Sequence, residues 1–281
     1  MNSQHARRIV VTGSTRGIGR GLALELLRRG HHVAISGRSQ AAVDQAIAEL
    51  TAALAGVSGA GRAVGTACDV SRAQDLQRLW DETAQAFGGV DIWINNAGLS
   101  HPRQRAGEMQ SQHINAVEET NLLGMMLATQ IAMRGMQSQP DGGFIYNMEG
   151  FGSNGMTRPG MSLYGASKFA LTYFNKALLS ETRDSKVRIC YLSPGIVVTD
   201  LLKRDMGSAA DPAEWERTKR IYNILADRVE TVTPWLAEGV LANDKAGARV
   251  AWLTGGKAAG RFFMSLFRRR QIIAPGDLSA G

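Results

Sequence analysis

Short β-branched runs alternate with stretches of helical spacing along most of the chain. The first unit is Ile9–Thr12, a glycine cluster at Gly13–Gly19, and a stretch carrying Leu22, Leu26 and Leu27 that closes at Arg29-Gly30; together they predict strand, loop and helix. Val33–Ser36 predicts a second strand, with Ser39 as N-cap of a helix over about 41–54. Ala63–Cys68 and Val90–Asn95 predict a third and a fourth strand, separated by a helix over 71–87 that puts Leu76, Leu79, Trp80 and Thr83 on one face. Successive strand–helix units of this kind imply a parallel sheet covered on both faces.

Downstream, the polar segment 99–112 reads as a loop and 115–136 as one long helix. Gly143–Asn147 is a fifth strand, followed by an irregular stretch over 148–162 and a helix over 164–183. Val187–Leu192 is a sixth strand ended by Ser193-Pro194-Gly195, and 211–228 with 234–242 read as helices of an insertion over 200–245. Ala248–Leu253, before Gly255-Gly256, is the last strand. No repeat, low-complexity tract or linker divides the chain. The expected fold is a single α/β domain over 1–256, a doubly wound parallel sheet of Rossmann type, with an extension over 257–281.

The 281 residues are 44% hydrophobic and 20% charged, which supplies a core and argues against disorder. Glycine accounts for 32 of them without a three-residue period, so it must serve turns and close backbone approaches. Cys68 and Cys190 stand far apart with no metal-ligand spacing, which argues against a disulfide framework or a metal site. The net charge of +7 is unevenly placed: residues 1–40 hold seven Arg against Glu25, and residues 249–281 hold six Lys or Arg against Asp277. Nucleic acid is not the expected partner, because no basic stripe is interleaved with aromatics. Only Met1–Arg8 precede the first apolar run, and no run approaches the roughly 18 residues of a membrane span, so a cytoplasmic protein is expected.

Between the first strand and helix lies Thr12-Gly13-Ser14-Thr15-Arg16-Gly17-Ile18-Gly19. Glycines are needed there if a dinucleotide pyrophosphate is to approach backbone N–H groups at a helix N-terminus. A turn made for packing alone is the plainer alternative; its place in the first strand–helix unit favours the dinucleotide. At the end of the second strand, where an NAD enzyme keeps an acid for the ribose hydroxyls, stand Gly37 and Arg38. A carboxylate would repel a 2′-phosphate, whereas Arg38 and Arg16 can pair with one, so NADP(H) is expected over NAD(H). The alternative is that both are ordinary solvated arginines. Asp69-Val70, after the third strand, is expected beside the adenine.

Tyr164 and Lys168 stand at i, i+4 near the start of a helix, on one face. A free tyrosine titrates near 10 and carries protons poorly at neutral pH; an adjacent ammonium stabilises its phenolate. Alone, such a pair is an ordinary helix surface. Here Thr12-Gly-x-x-x-Gly-x-Gly19, Asn95-Asn-Ala-Gly98, Asn121, Tyr164-x-x-x-Lys168 and Ser193-Pro-Gly195 follow in order, and with them the chain resembles the short-chain dehydrogenase/reductase family from about Arg8 to Gly256. The resemblance implies that Tyr164 gives a proton to a substrate carbonyl oxygen as hydride arrives from the nicotinamide. It also implies that Lys168 holds the nicotinamide ribose and that Asn121 positions a relay water. Gly13 to Gly19 (Gly13, Ser14, Thr15, Arg16, Gly17, Ile18, Gly19), Asn96-Ala97-Gly98, Pro194-Gly195-Ile196 and Thr199 would line the cofactor, and a homodimer or homotetramer would form through the helices of Asn121 and Tyr164.

One position departs from the family pattern. A serine just past the fifth strand usually hydrogen-bonds the substrate carbonyl; the corresponding position here is Gly150, in Asn147-Met148-Glu149-Gly150-Phe151-Gly152-Ser153. Losing one such donor costs on the order of 10²–10³ in rate, so Ser153 is expected to replace it, the alternative being a loop serine. This stretch, with Tyr164-Gly-Ala-Ser-Lys168, Ser193 to Leu202 and Asn223-Ile-Leu, resembles the chlorophyll b reductase subgroup, whose members reduce a formyl group with NADPH. The expected partner is thus a small-molecule carbonyl substrate, a tetrapyrrole under this resemblance. A general carbonyl or 3-oxoacyl reductase stays open, as does a non-catalytic NADP-binding redox sensor; intact Tyr164, Lys168 and Asn121 weigh against the sensor. In the extension, Phe262-Phe263-Met264 and Leu266-Phe267 precede Arg268-Arg269-Arg270. That pattern suits a basic amphipathic helix, for peripheral membrane contact or for packing on a second subunit or over the substrate pocket.

Overall fold

The computed structural model describes residues 6–202 and 212–273. β1 (Arg8–Val11), β2 (His32–Gly37), β3 (Ala63–Ala67), β4 (Ile92–Asn95), β5 (Gly143–Met148), β6 (Val187–Ser193) and β7 (Arg249–Ala251) form one parallel sheet in the order β3-β2-β1-β4-β5-β6-β7. This is the expected doubly wound Rossmann arrangement. The order reverses between β1 and β4, where Ile9 pairs with Ile92 and Val11 with Ile94, and such a switch point opens a crevice at the strands' carboxyl ends.

The pleat sorts strand residues between two cores. Ile9, Val11, Val33, Ile35, Ile92 and Ile94 meet Leu22 and Leu26 of α1 (Gly17–Arg28), Leu50 of α2 (Gln40–Ala53) and residues of a late helix that includes Leu236. On the other face, Val10, Ala34 and Trp93 meet Leu76 and Trp80 of α3 (Ala73–Phe87) and further residues such as Ile131 and Leu178. Burial on both faces explains why the strands read as apolar runs rather than alternations.

Some elements differ from expectation where the site is built. The helix expected over 115–136 begins earlier, as α4 (Ser111–Val117), inside the segment read as a loop. It then passes through a π-helical stretch at Glu118–Leu123 and continues as α5 (Gly124–Ser138). A π turn re-aims the side chains on it, and Asn121 lies there. After β5, α6 (Ser162–Glu181) is as expected within two residues. In the insertion, Asp211, the expected first helical residue, lies outside the described residues. α7 (Pro212–Leu225) stops short of Asp227, whose backbone is taken up in a parallel bridge: Asp227 N donates to Ile196 O and Val198 N to Asp227 O, both at 3.0 Å. α8 (Val229–Ala242) starts before Pro234 rather than at it. Gly255-Gly256, which follow the last strand, open α9 (Gly255–Met264), where Thr254 Oγ1 accepts from Lys257 N at 3.2 Å.

Asp227 anchors the C-terminal segment. It is 3% exposed and accepts from Trp252 Nε1 (2.6 Å), Arg261 (2.7 Å) and Arg270 (2.6 Å). Burial alone would raise its pKa; the hydrogen bonds from Arg261, Trp252 and Arg270 outweigh it and hold the carboxyl below its ordinary value. A depressed carboxylate stabilises the fold above the unfolded-chain pKa, and that contribution is lost as pH falls through the lower folded value. Asp227→Asn is expected to destabilise the protein by about 3 kcal/mol, the cost of breaking a buried ion pair from one side. Urea unfolding at neutral pH should show it, and the gap from the parent should close below about pH 4.

Candidate active site

The loops after β1 and β4 are stitched together at the switch point. Thr12 Oγ1 accepts from Asn96 N (3.0 Å) and Ala97 N (3.1 Å), while Asn96 Nδ2 donates to Thr12 O (2.8 Å) and Gly13 O (3.0 Å). Only glycines permit this approach: a Cβ on Gly19 would lie 2.4 Å from Asn96 Nδ2, and one on Gly13, at φ +62°, 2.9 Å from Ala97 Cα. The first turn of α1 has no acidic residue and no side-chain cap, which leaves its N–H groups and partial positive charge to an anion. This cradle fits a dinucleotide pyrophosphate.

The remaining residues expected at the cofactor divide into two groups. Thr199 lies over the glycine loop, its Cγ2 3.5 Å from where a Cβ of Gly17 would be, and Arg16 is exposed with Asp200 at 3.8 Å. Arg38 is exposed just past Gly37, where a Cβ would stand 2.6 Å from Thr15 Cγ2; Thr15 fills the space in which other side chains would sit. Ser14, Ile18 and Asp69 serve the framework. Ser14 Oγ donates to Val11 O (2.6 Å) and accepts from Ser36 N (2.9 Å), Ile18 packs on the core, and Asp69 accepts from Ser71 N (3.0 Å) and Oγ (2.7 Å). Val70 is buried against Gly124. Pro194-Gly195-Ile196 turn out of β6, with Gly195 at φ +72° and Ile196 O bound by Asp227 N.

At the carboxyl ends of β4 and β5 the polar side chains converge. Asn121, fully buried, accepts from Leu99 N (2.7 Å) and donates to Leu99 O (2.9 Å) and Ser167 Oγ (3.2 Å); Ser167 Oγ donates on to Tyr164 O (2.8 Å). One side chain thus ties the loop after β4 to α6. Lys168 Nζ donates to Met148 O (3.2 Å) and lies 5.9 Å from the centre of the Tyr164 ring. Burial pushes the Lys168 ammonium down to about 8, with Glu149 opposing the shift. Burial likewise raises the Glu149 carboxyl, although Arg249 stands 3.0 Å away. An ammonium beside a phenol can hold the phenolate, so the pair can pass a proton.

Gly150 is where it is for lack of room. A Cβ there would lie 2.5 Å from Tyr164 Oη and 3.2 Å from Lys168 Cε, so the phenol occupies the volume a serine would take. The Ser153 hydroxyl is committed to its own loop and to α6: it accepts from Gly150 N (3.1 Å), and the acceptor it reaches is Lys168 O (3.5 Å). Gly152, at φ +93°, presses this loop on α6 so closely that a Cβ would meet Gly165 Cα at 2.6 Å.

Sequence reading passed over Ser100 and His101. Both are buried, 7% and 2% exposed, and Ser100 Oγ and His101 Nε2 have no hydrogen-bond partner among the described residues. Gln104 Oε1 and His113 Nδ1, on the same stretch, are also unpartnered. The stretch lies between the loop after β5 and α7: Arg103 Nη2 donates to Tyr222 Oη (3.1 Å), and a Cβ on Gly160 would stand 3.2 Å from Arg103 Cβ. Unmet buried polar atoms are costly, and four of them within residues 100–113 make this segment a candidate for contact with a ligand that carries polar groups. The polarity of 99–112 was the only sequence signal, and loops share it.

The model of the short chain dehydrogenase family matches residues 7–208. A probable chlorophyll(ide) b reductase of rice (Oryza sativa subsp. japonica), chloroplastic, is 37% identical over 259 residues, 88% of this chain and 50% of the relative. A second rice protein, a chlorophyll(ide) b reductase, chloroplastic, is 33% identical over 277 residues, 95% of this chain and 78% of the relative. The chain thus spans about half the length of the first of these. The structure of a short-chain type dehydrogenase/reductase from Mycobacterium marinum superposes with a TM-score of 0.74 at 26% identity, over 89% of this chain and 95% of that one. The chloroplast placement of the rice relatives overturns the cytoplasmic expectation, which rested on the residues before Ile9 and the lack of a spanning run. A family match over most of the chain, on this sheet and this crevice, makes the protein a member of the short-chain dehydrogenase family.

Proposed function

We propose that the protein is an NADPH-dependent carbonyl reductase, and that its substrate is an aldehyde on a large flat ring of the chlorophyll(ide) b type. The observation that carries this reading is the convergence of Tyr164, Lys168 and Asn121 beside the glycine crevice. A nicotinamide cofactor bound in that crevice supplies hydride. Gly13–Gly19 would hold its pyrophosphate, Asn96–Gly98, Pro194–Ile196 and Thr199 would stand along it, and Arg16 and Arg38 would meet the 2′-phosphate. Tyr164 gives its phenolic proton to the carbonyl oxygen, and Lys168 as ammonium steadies the phenolate left behind. Asn121 fixes the loop after β4 against α6 so that the reacting groups keep their spacing. Ser153 holds the Gly150 turn and so gives the phenol its place, while Ser100 and His101 meet polar substituents of the substrate. Two or four subunits would assemble through α5 and α6.

NADPH oxidation in the presence of chlorophyllide b, with identification of the hydroxymethyl product, tests the substrate; turnover confined to small ketones would reassign it. For the cofactor, NADPH is expected to bind at least tenfold more tightly than NADH. Arg38→Ala should cost NADPH about tenfold, the worth of one charge-assisted hydrogen bond, and leave NADH unchanged. Fluorescence titration reads both, and equal affinities in the parent protein would remove the 2′-phosphate argument.

A further inference from the structure

The C-terminal segment displays apolar surface that the fold leaves uncovered. Phe262, Phe263, Met264, Leu266 and Phe267 are 45% to 76% exposed, and the Phe263 and Phe267 rings pack edge-on at 5.4 Å, outside the hydrophobic cores of the described residues. Arg268 and Arg269 follow, exposed, with no ion pair among the described residues. The segment is nonetheless fixed. Arg261 and Arg270 turn inward onto Asp227, Arg261 also donates to Leu225 O (2.8 Å) and Arg270 to Ile224 O (2.6 Å), and Ile272 N and Ile273 N both donate to Asn223 Oδ1 (2.8 and 2.9 Å). With Ile273 buried, the chain is secured on both sides of the aromatic ridge.

We infer that this ridge is a peripheral binding site for an anionic lipid surface, with Phe263, Leu266 and Phe267 entering the acyl boundary and Arg268 and Arg269 pairing with headgroup phosphates. Charge selects this occupant. A lipid surface supplies apolar depth and negative charge together, whereas the same face on a second copy of the chain offers further cations. The anchoring matters as well: a ridge already ordered on the protein does not lose chain entropy when it inserts. Asp227, which holds the ridge through Arg261 and Arg270, is also bonded through its backbone to Ile196 and Val198, so the surface is joined rigidly to the turn after β6. Delivery of a lipid-dissolved substrate to that turn rests on the reductase reading; the lipid surface itself does not.

Co-sedimentation of the full chain with vesicles of phosphatidylcholine alone, and of phosphatidylcholine mixed with phosphatidylglycerol, tests the inference without any measure of turnover. Binding to the mixed vesicles that weakens with salt is expected. Arg268→Ala with Arg269→Ala should weaken it about 25-fold, roughly fivefold per cation removed. Phe263→Ser with Phe267→Ser should weaken it at least tenfold. These side chains are exposed, so the melting temperature should hold in both variants. The inference is overturned by an absence of binding to either vesicle, by binding that both variants retain, or by a smaller assembly of the aromatic variant without lipid, which would assign the ridge to a second copy. Vesicle binding in a protein that oxidises no NADPH would remove the reductase reading and leave this one standing.

Discussion

Tyr164→Phe is expected to lower kcat for carbonyl reduction by about 10³, within the 10²–10⁴ range of a positioned proton donor, while NADPH affinity and melting temperature stay at parent values. The substitution removes one oxygen and keeps the ring, so the packing of a side chain that is 9% exposed survives. What disappears is the proton for the developing alkoxide. The pH profile separates this from a general disturbance. Because burial disfavours the Lys168 cation and pushes it down to about 8, that ammonium loses its proton as pH rises through about 8. Parent kcat for reduction should therefore fall on the alkaline side with a midpoint near there, and the limb should vanish in Tyr164→Phe, since the ammonium acts through the phenol. A non-catalytic sensor would show no turnover before any substitution.

The parts of this arrangement that were legible in the sequence are those fixed by local chemistry. The succession of strands and helices followed from alternating apolar runs and helical spacings, and the crevice from glycines that no other residue could replace at Gly13 and Gly19. The Tyr164–Lys168 pair was legible because i, i+4 spacing alone puts two side chains on one face. What escaped depends on contacts between distant segments. Nothing in Glu118–Leu123 marks a π turn; the stretch is held by Asn121 reaching back 22 residues to Leu99. Asp227 reads as an ordinary charged position near a helix end, because Trp252, Arg261 and Arg270, which define its role, lie 25 to 43 residues on. The missing serine read as a lost donor to be replaced nearby. In space, a Cβ at Gly150 would meet Tyr164 Oη at 2.5 Å, so the phenol stands in the volume a serine there would need.

That difference yields the second large effect: Gly150→Ala is expected to reduce kcat by about 10² with almost no change in stability. Gly150 does not have a positive φ, so the backbone accepts an alanine there. Added crowding costs about 1 kcal/mol and is offset by the roughly 0.4–1 kcal/mol gained from a less flexible unfolded chain. The crowding falls on one atom that matters. A Cβ at 150 would stand 2.5 Å from Tyr164 Oη, the far end of a side chain, which can shift by about an ångström where backbone could not. A shift of that size in a reacting group costs on the order of 10² in rate. Gly150→Ser sharpens the test, because it restores the residue that the family pattern carries. If the serine were simply absent, the variant should gain activity. If the phenol has taken the serine's place, the same Cβ displaces it, and Gly150→Ser should lose about as much as Gly150→Ala. A faster Gly150→Ser enzyme would mean that Tyr164 works from a position other than the one it occupies against Gly150.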